Sequence, residues 1–231
     1  MTARPITAIA HRGDPARARE NTLPAFAAAV AEGADWVELD LRRTRDGEIV
    51  VLHDQSLERL WGRNASVGDV DAADVAALGE GACRIPSLRE LLARVDVPLM
   101  VDFTRREVVA GAVDAVRAAG AMARSLFVTG NVPALTMLRA RAPEARIGLT
   151  WIEGDVPPLA LLEELGAEFW NPMHAFVTEA GVAAVHGAGR KVSTWTVDAH
   201  EDMVRLAAAG VDAMVSNRVD ALVRFVGAQP V

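Results

Sequence analysis

One pattern recurs five times along this chain: a helix-like run rich in alanine and leucine ends at a glycine, and an apolar run follows within a few residues. The five copies read AEGADWVEL, AAGAMARSLFV, ELGAEFWN, GAGRKVSTW and AAGVDAMVS. A glycine just past a helix end takes the left-handed conformation that terminates the helix. The runs that follow are rich in β-branched or aromatic residues, as buried strands are. The pattern therefore indicates a repeated strand–helix unit, which builds a parallel sheet covered by helices.

Eight apolar runs are predicted to be strands, and amphipathic segments separate most of them. Between the first two runs, Thr22 is placed to cap a helix over 23–31, and Pro24 falls in the first turn of that helix. Eight strands alternating with helices predict one domain over residues 1–231, a TIM (β/α)8 barrel with its site at the carboxyl ends of the strands. The predicted strands are 6–10, 36–41, 99–103, 126–129, 147–151, 168–171, 192–196 and 213–216.

Composition limits the class of protein. The net charge is -7, which disfavours nucleic acid as a partner, and a small anionic substrate then needs local positive charge or a metal. Cys83 is the only cysteine, so no intrachain disulfide forms and a reducing compartment is suitable. No run approaches the roughly 18 apolar residues of a membrane span, and the first residues lack a signal-peptide core. We expect a cytoplasmic protein without stable membrane insertion, and the oligomeric state stays open.

A turn signal interrupts the repeat after the second strand. Asp46 and Gly47 form a dipeptide favoured in two-residue hairpin loops, and the strand-like run EIVVLH follows. With these two residues as the loop, the chain folds back and His53 lies opposite Asp40; a one-residue bulge shifts this pairing only slightly. The sequence therefore predicts a small β-hairpin extension after the second strand, which returns a histidine to the acidic residues of that strand.

Three acidic residues occupy apolar strands. Glu38 and Asp40 lie two residues apart and so project from the same face of the second strand, and Asp102 ends the apolar run of the next barrel strand. An ion pair with Arg42 or Arg43, or a solvated strand end, is the structural alternative. Unpaired buried carboxylates are costly, and a divalent cation relieves that cost. Oxygen ligands favour Mg2+ or Ca2+.

Two histidines lie close to these acids in the predicted barrel. His11 ends the first strand in the motif HRG, where Arg12 can bind a phosphate through two donors and Gly13 permits close approach of the backbone to a ligand. His53 returns on the hairpin. Each histidine alone is as readily a structural side chain, but their convergence with three acids at one end of the barrel indicates a catalytic site.

The ordered set of HRG, ENT, ELD, HD, a single acid on the next strand and WTVD resembles the glycerophosphodiester phosphodiesterase family over essentially the whole chain. The resemblance implies a TIM barrel with one divalent cation, Mg2+ or Ca2+, held by Glu38, Asp40 and Asp102. It implies His11 and His53 as the catalytic pair, Arg12 as a phosphate ligand, and Trp195 in the pocket wall. The implied enzyme is a hydrolase of lipid and glycerol metabolism.

The chain departs from the family pattern at several positions. Arg19 replaces the usual proline before ENT, and Asp102-Phe103-Thr104 replaces a Glu-x-Lys segment. Thr104 thereby removes a positive charge near the phosphate, which Arg105 or Arg106 could supply. Asp198 stands where the family usually has asparagine, and SNRV at 216–219 replaces a usual TD-x-P.

The implied reaction is hydrolysis of a glycerophosphodiester to glycerol 3-phosphate and an alcohol. One alternative is a phospholipase D-type enzyme acting on lysophospholipids, although the segment after His53 is mostly polar. A second alternative is a catalytically impaired relative that binds phosphate esters. The sequence leaves open which histidine is the acid, and whether the nucleophile is water or a hydroxyl of the substrate.

Overall fold

The computed structural model describes residues 6–154 and 156–228 of the chain. The range predicted for a single domain, 1–231, also includes residues 1–5, 155 and 229–231, which lie outside the described residues. Eight parallel strands close into a barrel in chain order, and the last of them pairs with the first. The predicted TIM barrel is confirmed.

The barrel strands and their extensions have the following bounds: β1 Thr7–Ala10, β2 Trp36–Arg43, β3 Ile49–Val51, β4 Gly79–Glu80, β5 Cys83–Arg84, β6 Leu99–Asp102, β7 Ser125–Thr129, β8 Arg146–Trp151, β9 Phe169–Pro172, β10 Lys191–Thr194 and β11 Ala213–Ser216. The helices are α1 Leu23–Glu32, α2 Glu58–Trp61, α3 Ala72–Ala76, α4 Leu88–Leu92, α5 Val109–Ala118, α6 Val132–Arg141, α7 Leu159–Glu164, α8 Glu179–Gly187, α9 His200–Ala209 and α10 Val219–Gly227. In the part of the chain that these elements cover, no helix is long and apolar enough to cross a membrane.

The first helix shows why the repeated pattern folds as it does. Thr22 accepts a hydrogen bond from the Ala25 backbone N–H, Pro24 lies in the first turn, and Gly33 ends the helix at φ 97°. Phe26 on its inner face is fully buried against the barrel. The predicted cap, first turn and glycine stop of this helix are all confirmed.

Alternation along the strands separates two apolar layers. Val37, Leu39 and Leu41 of β2 point outward into the layer beneath the helices. Ile9 of β1 and Met100 of β6 belong to a smaller cluster with members from several other barrel strands, which fills the interior. Because successive side chains point to opposite faces, Glu38 and Asp40 project into the barrel with that inner cluster.

The hairpin forms, but its register differs from the prediction by one residue. Leu41 pairs with Val51 and Arg43 with Ile49, so Asp40 lies opposite Leu52 rather than His53. The loop has three residues instead of two, because the Thr44 hydroxyl donates to Asp46 and accepts from the Glu48 N–H, which closes the turn one residue earlier. His53 therefore lies just past the end of the pairing, where its side chain can turn toward the barrel mouth.

Candidate active site

A cavity of about 670 Å³ opens at the carboxyl ends of the barrel strands. Every barrel strand, or the loop directly after it, contributes at least one side chain to its wall. The lining residues that concern the chemistry are His11, Arg12, Glu38, Asp40, His53, Asp102, Thr104, Asn131, Thr150, Trp151, Glu153, Asn171 and Trp195. Closure of the barrel thus brings together all seven residues that the sequence nominated for the site.

The three acids meet at the floor of this cavity. Asp40 and Asp102 are direct neighbours in the parallel pairing of β2 with β6. One carboxylate oxygen from each of Glu38, Asp40 and Asp102 lies within 4.8 Å of the others. Glu38 is only 4% exposed and Asp40 only 7%. The geometry is that of three oxygen ligands converging on one small volume.

Burial and mutual repulsion make these carboxyls hard to ionise together. Burial, followed by the charges of Asp40 and Asp102, raises the pKa of Glu38 well above its usual range. Burial and the charge of Asp40 raise the pKa of Asp102 to about 7. A hard divalent cation would remove the repulsion and keep all three ionised, so the donor set fits Mg2+ or Ca2+.

Arg12 and Asn21 hold two of the acids from the loop after β1. The Arg12 N–H donates to Glu38 Oε2 at 2.9 Å, and its Nε forms an ion pair with Asp40 Oδ2 at 3.1 Å. Asn21 donates from Nδ2 to Asp40 Oδ2 at 2.7 Å. Both residues have left-handed backbones, with φ of 58° and 57°. The structural alternative paired these acids with Arg42 or Arg43, whereas the ion pair with Asp40 is made by Arg12.

Gly13 lies where the loop after β1 meets the first helix. Its φ is 81°, and a Cβ at this position would lie 2.6 Å from the backbone carbonyl carbon of Ala25 in α1. This glycine therefore permits close approach of the loop to the first helix. This contact fixes the loop that carries His11 and Arg12.

The His11 ring is oriented by an amide on the last barrel strand. Its Nδ1 lies 2.8 Å from Asn217 Oδ1, and the Asn217 side chain donates from Nδ2 to Asp198 Oδ2 at 2.8 Å. Because that bond turns the amide oxygen toward His11, Nδ1 carries the proton and Nε2 is left as an acceptor, 4.0 Å from Glu38 Oε2. Burial and the charge of Arg12 lower the pKa of His11. The ring is therefore neutral at neutral pH.

His53 is oriented by the residue that follows it. Its Nδ1 lies 2.7 Å from Asp54 Oδ1. The hydrogen bond from Arg59 lowers the pKa of Asp54 to about 2, so this carboxylate is ionised and His53 Nδ1 is the donor. The His53 backbone carbonyl accepts from Arg42 Nε at 2.7 Å. The His53 side chain is 42% exposed, at the rim of the cavity.

Arg42 supplies a positive charge beside Thr104, where the family pattern has a lysine. Its Nη1 donates to Thr104 Oγ1 at 2.7 Å, whereas the Arg105 guanidinium donates to Gln55 Oε1. The cation beside Thr104 is therefore Arg42 rather than Arg105. Trp195 lies in the cavity wall as expected, and its Nε1 donates to the Asn171 carbonyl at 3.2 Å.

Sequence reasoning missed the residues that orient the others. Asn21, Asp54 and Asn217 each fix a nominated side chain, and none was assigned this role. Asn21 and Asp54 do lie within the quoted motifs ENT and HD, so their adjacency was a usable signal. Asn217 was noted only as a departure from the family pattern, and it lies 206 positions from His11 in the sequence.

The chain is similar to proteins of one known family. The sequence profile of the Glycerophosphoryl diester phosphodiesterase family matches residues 11–221. A glycerophosphodiester phosphodiesterase of Caldanaerobacter subterraneus subsp. tengcongensis is 30% identical and aligns over 94% of this chain and 96% of its own.

Solved structures agree with the sequence comparison. A glycerophosphodiester phosphodiesterase of Thermotoga maritima has a TM-score of 0.81 at 25% identity, covering 95% of this chain and 97% of that one. A phosphodiesterase of Oleispira antarctica, solved with the product sn-glycerol-3-phosphate, has a TM-score of 0.87 at 24% identity, covering 96% and 97%. At this identity, the likeness to the Oleispira antarctica protein shows a shared fold.

Proposed function

Because this chain belongs to the glycerophosphoryl diester phosphodiesterase family, and is thus a phosphoric diester hydrolase, we propose that it cleaves small glycerophosphodiesters to glycerol 3-phosphate and an alcohol using one divalent cation. The observation that carries the proposal is the convergence of three carboxylates with two separately oriented imidazoles in one cavity. A binding protein for phosphate esters needs neither imidazole.

Glu38, Asp40 and Asp102 are the proposed ligands of the cation, Mg2+ or Ca2+. When bound there, the cation would offset the negative charge on the nonbridging phosphate oxygens. Arg12 is the proposed protein contact of the phosphate, and it also braces the acids through its N–H and Nε. Trp195 would form the wall against which the substrate lies.

The two hydrogen-bond networks support different roles for the histidines. His11 is neutral with Nε2 unprotonated, so we assign it as the general base that takes a proton from the nucleophile. His53 donates from Nδ1 to the Asp54 carboxylate, which orients its ring at the rim of the cavity. With the base role assigned to His11, we assign His53 as the general acid that protonates the departing alkoxide. The nucleophile is water or a hydroxyl of the glycerol group.

A substrate panel tests the proposal directly. Purified protein with Mg2+ or Ca2+ would be incubated with glycerophosphocholine, glycerophosphoethanolamine and glycerophosphoglycerol, and glycerol 3-phosphate would be measured. We expect release from at least one diester. Cleavage of lysophosphatidylcholine alone would assign the phospholipase D-type alternative, and binding of these esters without turnover would assign the impaired relative.

A further inference from the structure

A row of alternating charges runs from the acids to the second histidine. Arg12 Nη1 donates to Glu20 Oε1 at 2.9 Å, and the same carboxylate accepts from Arg59 Nη2 at 2.6 Å. Arg59 Nε then donates to Asp54 Oδ2 at 2.5 Å. The row connects the loop after β1, which carries His11, with the hairpin end, which carries His53.

Arg59 is the only member of the row that bonds to both of those segments and lies outside the cavity wall. One edge of its guanidinium contacts Asp54, and the Nη groups contact Glu20. Asp54 uses its other oxygen for His53 Nδ1, at 2.7 Å. A change at Arg59 therefore reaches the imidazole through one intervening carboxylate.

The two carboxylates need a cation with this shape. The Glu20 and Asp54 side chains are 15% and 22% exposed, whereas that of Arg59 is 49% exposed. Burial raises the pKa of Glu20, but the hydrogen bond from Arg59 and the charge of Arg12 outweigh it and lower that pKa. Both acids thus remain ionised, and a planar guanidinium can serve the two at once where a lysine ammonium cannot.

Contacts on two sides hold the helix that carries Arg59. None of the four residues of α2 is buried, but Leu57 just before it is buried, Trp61 packs against the same apolar cluster, and Ser56 Oγ accepts from the Glu58 N–H at 3.2 Å. Trp61 at its end lies under the Arg19 guanidinium, 4.5 Å from the ring centroid, which is a second contact with the loop before α1. Leu57 and Trp61 thus anchor the helix beside the hairpin, and Glu20 and Asp54 orient the Arg59 guanidinium.

We propose that Arg59 is a positioning residue for catalysis: it holds Asp54, and through Asp54 the His53 ring, in fixed relation to the loop of His11. The inference rests on the proposed function for its kinetic consequence, and on geometry alone for its structural one. Arg59 touches neither the cavity nor the three acids, and Arg12 keeps its own contacts with Glu20 and Asp40 without it. Loss of Arg59 should therefore affect the reaction step rather than substrate binding.

Arg59→Ala, Arg59→Lys and the control Arg63→Ala test this inference. Arg63 lies two residues past α2, and within the described part of the chain its guanidinium pairs with Asp74, at 3.8 Å. Misplacement of a catalytic group by about 1 Å can cost 10²-fold, so we expect kcat of Arg59→Ala to fall about 10- to 100-fold with KM within threefold of wild type. Arg59→Lys should recover only part of the lost kcat, and guanidinium added to Arg59→Ala should recover more. The kcat of Arg63→Ala should match that of wild type.

Coupling to Asp54 is the sharper requirement. If Arg59 acts through Asp54, the double variant Arg59→Ala/Asp54→Asn should be no slower than Asp54→Asn alone. Additive losses, an unchanged kcat in Arg59→Ala, or a full recovery with lysine would overturn the inference. Thermal unfolding of each variant identifies loss of fold, and the lysine variant then carries the test.

A measurement without turnover separates this inference from the proposed function. With 15N-labelled histidine, the His53 Nδ1 proton should give an exchange-protected NMR signal, assigned by its loss in His53→Ala. We expect Arg59→Ala to abolish the signal and Arg63→Ala to retain it. Retention in Arg59→Ala would refute the positioning role, whereas an inactive wild type that shows the signal would refute only the proposed function.

Discussion

Asp40 is the acid with the largest number of fixed partners. It accepts from the Asn21 amide, forms an ion pair with Arg12, and donates its own N–H to Asn21 Oδ1 at 3.3 Å. Partners of this kind orient metal ligands and tune their affinity. The Asp40 carboxylate is thus held in place by protein contacts alone, so binding of the proposed cation should require little rearrangement of Asp40.

The histidines give the most direct prediction at the residue scale. Replacing His11 or His53 by alanine should lower kcat by about 10²-fold or more, because general acid or base catalysis typically contributes that much. Hydrolysis rates on the best diester of the panel provide the measurement, with circular dichroism to verify the fold. Near-normal turnover in either variant would remove that residue from the mechanism.

Asp102 gives a prediction about pH. Its raised pKa, about 7, means that the folded protein binds this proton more tightly than the unfolded chain. In EDTA, Asp102 should therefore destabilise the fold progressively as pH rises from about 4 to 7, by about 1.4 kcal/mol per unit of pKa difference at most. Asp102→Asn should raise the Tm at pH 8 and leave it unchanged near pH 4.

A saturating divalent cation is the control for that experiment. With the cation bound, the wild-type carboxylate is compensated, so the advantage of the asparagine variant at pH 8 should vanish or reverse. If the Tm difference between Asp102→Asn and wild type in EDTA is equal at pH 4 and pH 8, ionisation of Asp102 is not what destabilises the fold.

The orientation of a site side chain was predictable from the sequence where that residue lies on a strand. Glu38, Asp40 and Asp102 follow from strand alternation and from the adjacency of consecutive barrel strands. The partners of His11 do not, because Asn217 reaches it only after the last strand closes against the first. Nor does the contact of Asn21 with Asp40, which depends on a left-handed loop backbone.

At the scale of elements, the eight strands follow from apolar runs, and their ends differ from prediction by at most two residues. The hairpin was predicted with the wrong register. Its dipeptide signal favours a two-residue loop, but hydrogen bonds of the Thr44 side chain close a three-residue loop with Gly47 at φ 97°. A competing local side-chain bond of this kind is not visible in the apolar pattern.

The contact between Gly13 and α1 yields a prediction for two elements together. Gly13→Ala should destabilise the protein by more than about 2 kcal/mol and lower activity, since it adds backbone strain and a steric clash with Ala25. The matched control is Gly62→Ala, with φ 66° and nothing within 4 Å of the added Cβ. Urea unfolding would compare them, and equal losses would show that backbone strain alone matters.

At the scale of the whole molecule, barrel closure places β1 between β11 and β2, so residues from both ends of the chain share one mouth. The fold was predictable because each repeated unit carries its own signals. The network of the mouth was not, because it joins side chains from loops that are distant in sequence.

Removal of the proposed metal ion tests whether activity and stability both depend on it. Excess EDTA should abolish hydrolysis and lower the Tm, and Mg2+ or Ca2+ should restore both. A ligand at 100 times its Kd stabilises a fold by about 2.7 kcal/mol. EDTA presaturated with Ca2+ is the control, since it leaves the protein's ion in place. Full activity in excess EDTA, with no metal detected in the protein, would refute the three-carboxylate site.

The cavity wall is divided between two halves of the barrel. The proposed catalytic histidines, the three acids and the residues that bond to them come from β1, β2, β6, β11, the loops after these strands and the hairpin. The ends of β7, β8 and β9 contribute the uncharged Thr129, Thr150, Trp151 and Asn171, and Glu153 in the loop after β8 adds one charge to that half. We expect substitutions in that second half to change which leaving alcohol is accepted, while the proposed acid–base pair stays in place.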